Sequence, residues 1–420
     1  MLNSKFQSKF FNNEFFLIYL LYFSLLISFY FGENSTGGAF TDYYGHNILG
    51  IEFTKNFSET FLNYDKFHTR HSPIFLIFLG FLEKIFVIDS FKRFFFLHIF
   101  LLLPIIFYRC LTIKFNVDKK ILILLTSLIF ISPTFRSLSI WPDSRLFGLL
   151  FFTLSIFYYL KFSIDKKFLN IFLNIVMCAL SAYISPNFSV FSIFFFFKYL
   201  KEYKFLSKQI FIIIILNLLL AMPAIYYVII LDINFLSKSA AITRQTSDVL
   251  FVNIFNNILI TFSFLFFYIL PFIYFKIIKI DNVLTINNLV LSIFIFLLCT
   301  YNFDYDYLNT GGGIFLKISQ IFFKNNYFFF FVALISIIYL LPILTNNKFN
   351  FLIFILILFN NPQYTMYHKY FDPFLLIIFF TIFFLNIDIK KLNNKKSFLL
   401  VFFYFLGFLI ISNIKFIWKI

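Results

Sequence analysis

Residues 71–88 read HSPIFLIFLGFLEKIFVI, and whether this apolar run crosses a bilayer or lies along its surface sets the sidedness of everything after it. The run opens near Pro73 and carries the adjacent charges Glu83 and Lys84. A charged pair within a span is expensive at the bilayer centre. The pattern therefore predicts a juxtamembrane helix lying in the interface. Were it a span, every later loop would change side.

The chain around it is built for lipid. Of 420 residues, 61% are hydrophobic and 13% charged, with a mean hydropathy of +0.89. Soluble domains hold about 45–50% apolar and roughly 25% charged residues. No ordinary globule of this composition could hide its apolar surface from water, so a polytopic membrane protein is expected. The 76 phenylalanines accompany enriched Ile, Asn and Lys and scarce Arg and Gly, as A+T-biased coding produces. A stretch such as FFFFKYL at 194–200 then reads as generic lipid-facing helix. Cys110, Cys178 and Cys299 are isolated in apolar runs with no CxxC, which indicates neither a disulfide framework nor a zinc knuckle. Lys5 and Lys9 precede an apolar run from Phe15 to Phe31 that lacks a small-x-small cleavage site, so a retained signal anchor is expected.

Runs near the 17–25 residues that cross a bilayer fall at roughly 15–31, 94–111, 121–135, 146–160, 168–184, 187–200 and 209–231. Others lie near 258–275, 283–300, 327–344, 349–360, 373–387 and 397–413. The expectation is an all-α bundle of about thirteen spans forming one integral membrane domain over 1–420. Residues 32–93 form its first outer loop, with juxtamembrane helices.

Lysines set the orientation. With the N-terminus inside, inner loops hold Lys114, Lys119, Lys120, Lys161, Lys166, Lys167, Lys198, Lys201, Lys204 and Lys208, and later Lys276, Lys279, Lys348, Lys390, Lys391, Lys395 and Lys396. The net charge of +16 is thus a topology signal and asks for no nucleic acid. Arginines behave differently. Five of six (Arg70, Arg93, Arg136, Arg145 and Arg244) fall outside. Arginine's planar fork matches a phosphate bidentately, whereas lysine is a mobile point charge. Either these side chains snorkel to headgroups or they meet an anionic ligand; the one-sided distribution favours the ligand.

Polar clusters lie in the same loops. In TDYYGHN (41–47), Asp42 and His46 are four apart and share one face if helical. Asp65, His68, Arg70 and His71 follow. Acid and imidazole at this spacing fit no HExxH-like pattern, though a divalent metal is conceivable. In SPTFRSLSIWPDSR (132–145), Pro133 and Pro142 are expected to end helices, bringing Arg136, Asp143 and Arg145 together as a self-satisfied network or a phosphate cradle. LDINFLSKSAAITRQTSD (231–248) is a long polar loop with Arg244, of the kind that often forms lids. The glycines of YNFDYDYLNTGGG (301–313) permit a tight turn before a short interfacial helix. PQYTMYHKYFDP (362–373) sets His368, Lys369 and Asp372 above a span.

Two of these clusters, TDYYGHN … TRHSPIFLIFLGFLEKIF and the turn SPTFRSLSIWPDSR with its Pro-Asp pair, resemble the GT-C superfamily of multispan glycosyltransferases. That superfamily includes protein O-mannosyltransferases and lipid A aminoarabinose transferases, which use polyprenyl-phosphate sugars. The likeness covers roughly residues 10–165. It implies that Asp42 is the catalytic Asp and Asp143 the second-loop acid. Whether Asp65 or Glu52 serves as a further acid is open. His46, Asp65, Arg70, His71, Arg136, Asp143, Arg145, Arg244, His368 and Lys369 are the expected substrate-binding residues.

Such an enzyme inverts the anomeric centre. A carboxylate takes the acceptor hydroxyl's proton while arginines stabilise charge on the departing phosphate. Tyr43, Tyr44 and Trp141 would stack on sugar or serve as interfacial aromatics. No particular cofactor is implied, and a divalent metal stays open. The implied partners are a polyprenyl-phosphate sugar donor and a lipid-linked glycan, lipid or protein acceptor, in a bacterial inner membrane with the site facing the periplasm. A polysaccharide polymerase or ligase would place more arginine in a large later loop. A transporter or lipid flippase would show polar mid-span residues, paired half-helices and an inverted repeat.

Overall fold

A computed structural model describes residues 14–235 and 253–417. The chain is all-α apart from one two-residue antiparallel pairing, Ile278–Lys279 with Asn386–Ile387, among the described residues. Among the described residues, six helices are long and apolar enough to cross a membrane: Asp89–Lys114, Ser144–Asp165, Lys208–Ile230, Ile254–Tyr274, Tyr327–Thr345 and Lys395–Ile414. A seventh candidate is the broken pair Lys119–Phe130 and Pro133–Ile140, bent by 62°. By length and composition the count is therefore six or seven, against about thirteen apolar runs. The difference lies in short elements, such as Phe168–Ile184, Ile286–Tyr301 and Lys348–Asn360, which are apolar but run only 10–17 residues.

The deciding stretch forms the helix Pro73–Ile85. Ser72 caps it by accepting from the Ile74 amide, and Pro73 takes the first helical position, where its missing N–H costs nothing. Phe75, Leu76, Leu79 and Leu82 recur at helical spacing on the buried face. Their face packs on a second loop helix, Ala39–Lys55. Glycines make this contact close: a side-chain carbon on Gly50 would stand 2.9 Å from the Leu76 carbonyl oxygen and 3.1 Å from the Gly80 nitrogen. Glu83 is not left alone. It ion-pairs with the fully buried Lys92, whose Nζ also lies 2.6 Å from Asn47 Oδ1 and 3.4 Å from Asp89. The acid that argues against a span thus ties the helix to the start of Asp89–Lys114.

One expectation is corrected at 132–145. Pro133 begins a helix rather than ending one. Ser132 caps it through the Phe135 amide, repeating the Ser-Pro arrangement of residues 72–73. The short helix ends at Ile140, before Pro142. Asp143 then caps the helix Ser144–Asp165 through the Arg145 amide.

Loops gather in two sets at opposite ends of the bundle. One set joins Lys114, whose Nζ donates to the Thr381 and Phe383 carbonyls, with Asp388, whose amide donates to the Ile277 carbonyl. The other joins Glu33, Asp42, Asp143 and Lys369 with the 301–313 and 361–373 loops.

Candidate functional site

The site begins at the first turn of Ala39–Lys55. Gly38 precedes the helix; Asp42 lies in its first turn, where a negative charge suits the helix dipole. His46 follows one turn later on the same face, as the spacing predicts. Asp42 Oδ2 accepts a hydrogen bond from Lys369 Nζ at 2.5 Å, joining residues 327 positions apart. The carboxylate keeps about a third of its side chain exposed (36%), while the lysine keeps 15%.

Below this pair two histidines pack together. The His46 and His71 rings lie 4.1 Å apart, edge to face, and His71 Nδ1 sits 3.0 Å from Ser144 Oγ. Burial holds both imidazoles below the usual histidine range, outweighing the charges of Asp143 and, for His46, Asp42, so both are neutral near pH 7. Asp143 is buried, with Oδ1 accepting the Arg145 amide at 2.7 Å and Oδ2 buried without a hydrogen-bond partner. Burial works to raise its pKa, but Arg145 above all keeps it low, so the buried carboxyl stays ionised. His46 Nδ1 is also buried and unpartnered.

The Arg145 guanidinium carbon sits over the Tyr370 ring, 3.6 Å from its centroid. Contact of this kind holds the guanidinium in place, which favours bidentate recognition over a mobile charge. Arg145, Lys369 and Tyr370 line a partly open cleft. Leu146, Phe188 and Phe374 give it apolar walls; Ser185, Asn187 and Asn360 give it polar ones. A few placed polar groups in a mainly apolar cleft are what small-ligand sites look like.

The turn carrying Lys369 and Tyr370 is pinned on both flanks. Asp372 Oδ2 accepts from Ser132 Oγ at 2.6 Å and from the Thr134 amide at 3.0 Å. Burial pushes the Asp372 carboxyl up, against hydrogen bonds from Ser132, Thr134 and Tyr268. His368 Nε2 meets the Tyr268 hydroxyl at 2.8 Å, its ring packed among Phe264, Phe267 and Phe408. Upstream, the Met366 amide donates to the Thr310 carbonyl and the Gly312 amide to the Met366 carbonyl. The glycine run permits this: Gly311 has φ +100°, and a side-chain carbon there would meet the Met366 carbonyl oxygen at 2.6 Å.

Several expected site residues go elsewhere. Arg136 does not flank Asp143. Its buried fork pairs with Glu33 at 2.9 Å and donates to Ser24 and Ser28, so it ties the first helix to the broken span. Burial works to raise the Glu33 carboxyl, and Arg136 overrides it. His368 belongs to the buried network just described. Asp65 lies in the turn Tyr64–Phe67, its charge against Tyr227. Neither Asp65 nor Arg70 is among the charges acting most strongly on the two histidines. Glu52 pairs with Lys55 at the surface. Tyr43 is buried and donates to Asp89, and Trp141 donates to the Glu33 carbonyl, so both serve packing. Arg244 lies outside the described residues. No three His, Cys, Asp or Glu side chains are gathered to hold a metal among the described residues.

Sequence reasoning missed Tyr370 and Ser144. Both adjoin residues it did find, Lys369 and Asp143, and the run HKYFD was the available signal. Compared with protein-family models, curated proteins and solved structures, the chain matches none.

Proposed function

We propose that this chain is an inverting membrane glycosyltransferase that moves a sugar from a polyprenyl-phosphate donor to an acceptor hydroxyl. The observation that carries the reading is that Lys369 holds Asp42 and lines one cleft with Arg145, the three coming from separate chain segments. In this scheme Arg145, held over Tyr370, and Lys369 take the donor phosphate and stabilise the charge it gains on leaving. Asp42, with a third of its side chain open, removes the acceptor's proton. The proton passes from hydroxyl to Asp42, the new glycosidic bond forms as the anomeric carbon–phosphate bond breaks, and polyprenyl phosphate leaves.

Thirteen crossings, with the N-terminus inside and this site outside in a bacterial inner membrane, complete the reading. The two sets of loops support it: lysine-bearing segments gather at one end, and the Asp42 cluster at the other. A short helix such as Phe168–Ile184 crosses where neighbours bury its ends or the bilayer thins. The transporter alternative draws on the broken span, yet the break at Ser132 holds Asp372 of the site turn rather than a second half-helix.

The test is transfer from undecaprenyl-phosphate hexoses to lipid or glycan acceptors by purified protein in nanodiscs. Asp42→Asn is expected to abolish transfer with folding intact. Full activity in that variant removes Asp42 as the base.

A further inference from the structure

Lys369 faces two ways. Its ammonium holds Asp42 Oδ2 at 2.5 Å, and the same side chain lines the cavity that Arg145 enters. An oxygen engaged by an ammonium is a poor place for a hydroxyl to leave its proton. The pair therefore occupies one of the two oxygens of the carboxylate that the proposed reaction needs. Lysine's four-carbon stem lets the charge move without the backbone. The backbone is held besides: Asp372 binds Ser132 and the Thr134 amide, and Tyr268 binds His368. Arg145, by contrast, stays on Tyr370 and marks where an anion would settle. Next to the pair, Gly38 leaves room. A side-chain carbon there would lie 3.8 Å from both Asp42 Oδ2 and Lys369 Nζ.

The geometry points to Lys369 as a latch: an anionic lipid phosphate entering beside Arg145 draws the lysine off Asp42 and so uncovers the base. This rests on the glycosyltransferase reading and adds an order to it. Donor binds first, and the base works only when donor is present. Phosphate and Asp42 then compete for one cation. Removing the carboxylate frees Lys369, so anion binding tightens.

The experiment measures undecaprenyl phosphate binding to full-length protein in zwitterionic-lipid nanodiscs. Asp42→Asn and Asp42→Ser are expected to bind about fivefold more tightly than wild type, the scale of a partly exposed ion pair. Lys369→Gln binds more weakly. The double variant Asp42→Asn/Lys369→Gln matches Lys369→Gln, because the carboxylate acts only through the lysine. If wild type binds saturably but both Asp42 variants bind no more tightly, the latch is refuted and the functional reading stands. If wild type and variants show no saturable binding, the functional reading falls and the latch with it.

Discussion

Gly80→Ala adds one methyl group at the place where two loop helices touch. The new carbon would stand 2.9 Å from the Gly50 carbonyl carbon, nearer still to its oxygen, and 3.1 Å from Thr54 Cγ2. The first two neighbours are backbone, which cannot rotate aside. Pro73–Ile85 and Ala39–Lys55 must part. Overpacking of this kind costs about 1–3 kcal/mol and occasionally more. Alanine's helix preference over glycine returns up to about 1 kcal/mol, leaving a net loss of about 1–2 kcal/mol. The functional effect should be larger. The two helices carry Asp42 and His46 on one side and lead from His71 on the other, so a shift on the order of 1 Å loosens the site and lowers turnover about a hundredfold. Gly45→Ala is the matched control: it lies on the partner helix Ala39–Lys55 with nothing within 4 Å, and it should gain up to about 1 kcal/mol. The assay is thermal unfolding in detergent by tryptophan fluorescence, with transfer activity in parallel. Opposite signs for the two substitutions are expected. A Gly80→Ala protein that melts and turns over like wild type would refute the close packing, and with it the placement of His71 beside His46.

Glu33→Ala leaves the buried Arg136 guanidinium uncompensated and should cost about 3–5 kcal/mol, read as a fall in melting temperature. Arg136→Lys should likewise lower stability while donor KM stays unchanged; a changed KM with normal stability returns Arg136 to the site. Arg145→Lys loses the stack on Tyr370 and should weaken donor binding roughly tenfold, measured as KM. Burial, with the Lys317 charge nearby, holds His368 down to about 3. A histidine with a depressed folded pKa contributes stability that is full above its unfolded pKa of about 6.5 and is lost as pH falls towards the folded one. Between pH 7 and pH 5 the loss is about 2 kcal/mol; His368→Gln should flatten that part of the melting-temperature profile.

Fold class and the helix Pro73–Ile85 are legible because they depend on local composition. An apolar run excludes water wherever it sits, and Glu83 beside Lys84 argues against a span without reference to any partner. Ser-Pro at 72–73 is a local cap signal too, and 132–133 carries the same signal, with Pro133 opening a helix after the break. The i, i+4 spacing of Asp42 and His46 is likewise set by helix geometry alone. Local pattern thus specifies an all-α, strongly apolar chain, a polar stretch after the first apolar run and a short set of charged candidates.

Tertiary structure decided which candidates meet. Asp42 and Lys369 are 327 residues apart, and no periodicity couples positions at that range. Arg136 and Arg145 look alike in sequence, separated by nine positions in one turn. One is consumed by Glu33, and the other is laid on Tyr370 at a cavity. Glu33 and Tyr370 reach them only through packing of the first helix and the 361–373 turn. Likewise His368 and Lys369 are neighbours in the chain with opposite fates, one sealed among phenylalanines and one turned to the site. A residue's type and local spacing set what it can do; its partner, and so its protonation and its role, comes from chain segments that only the folded bundle brings beside it.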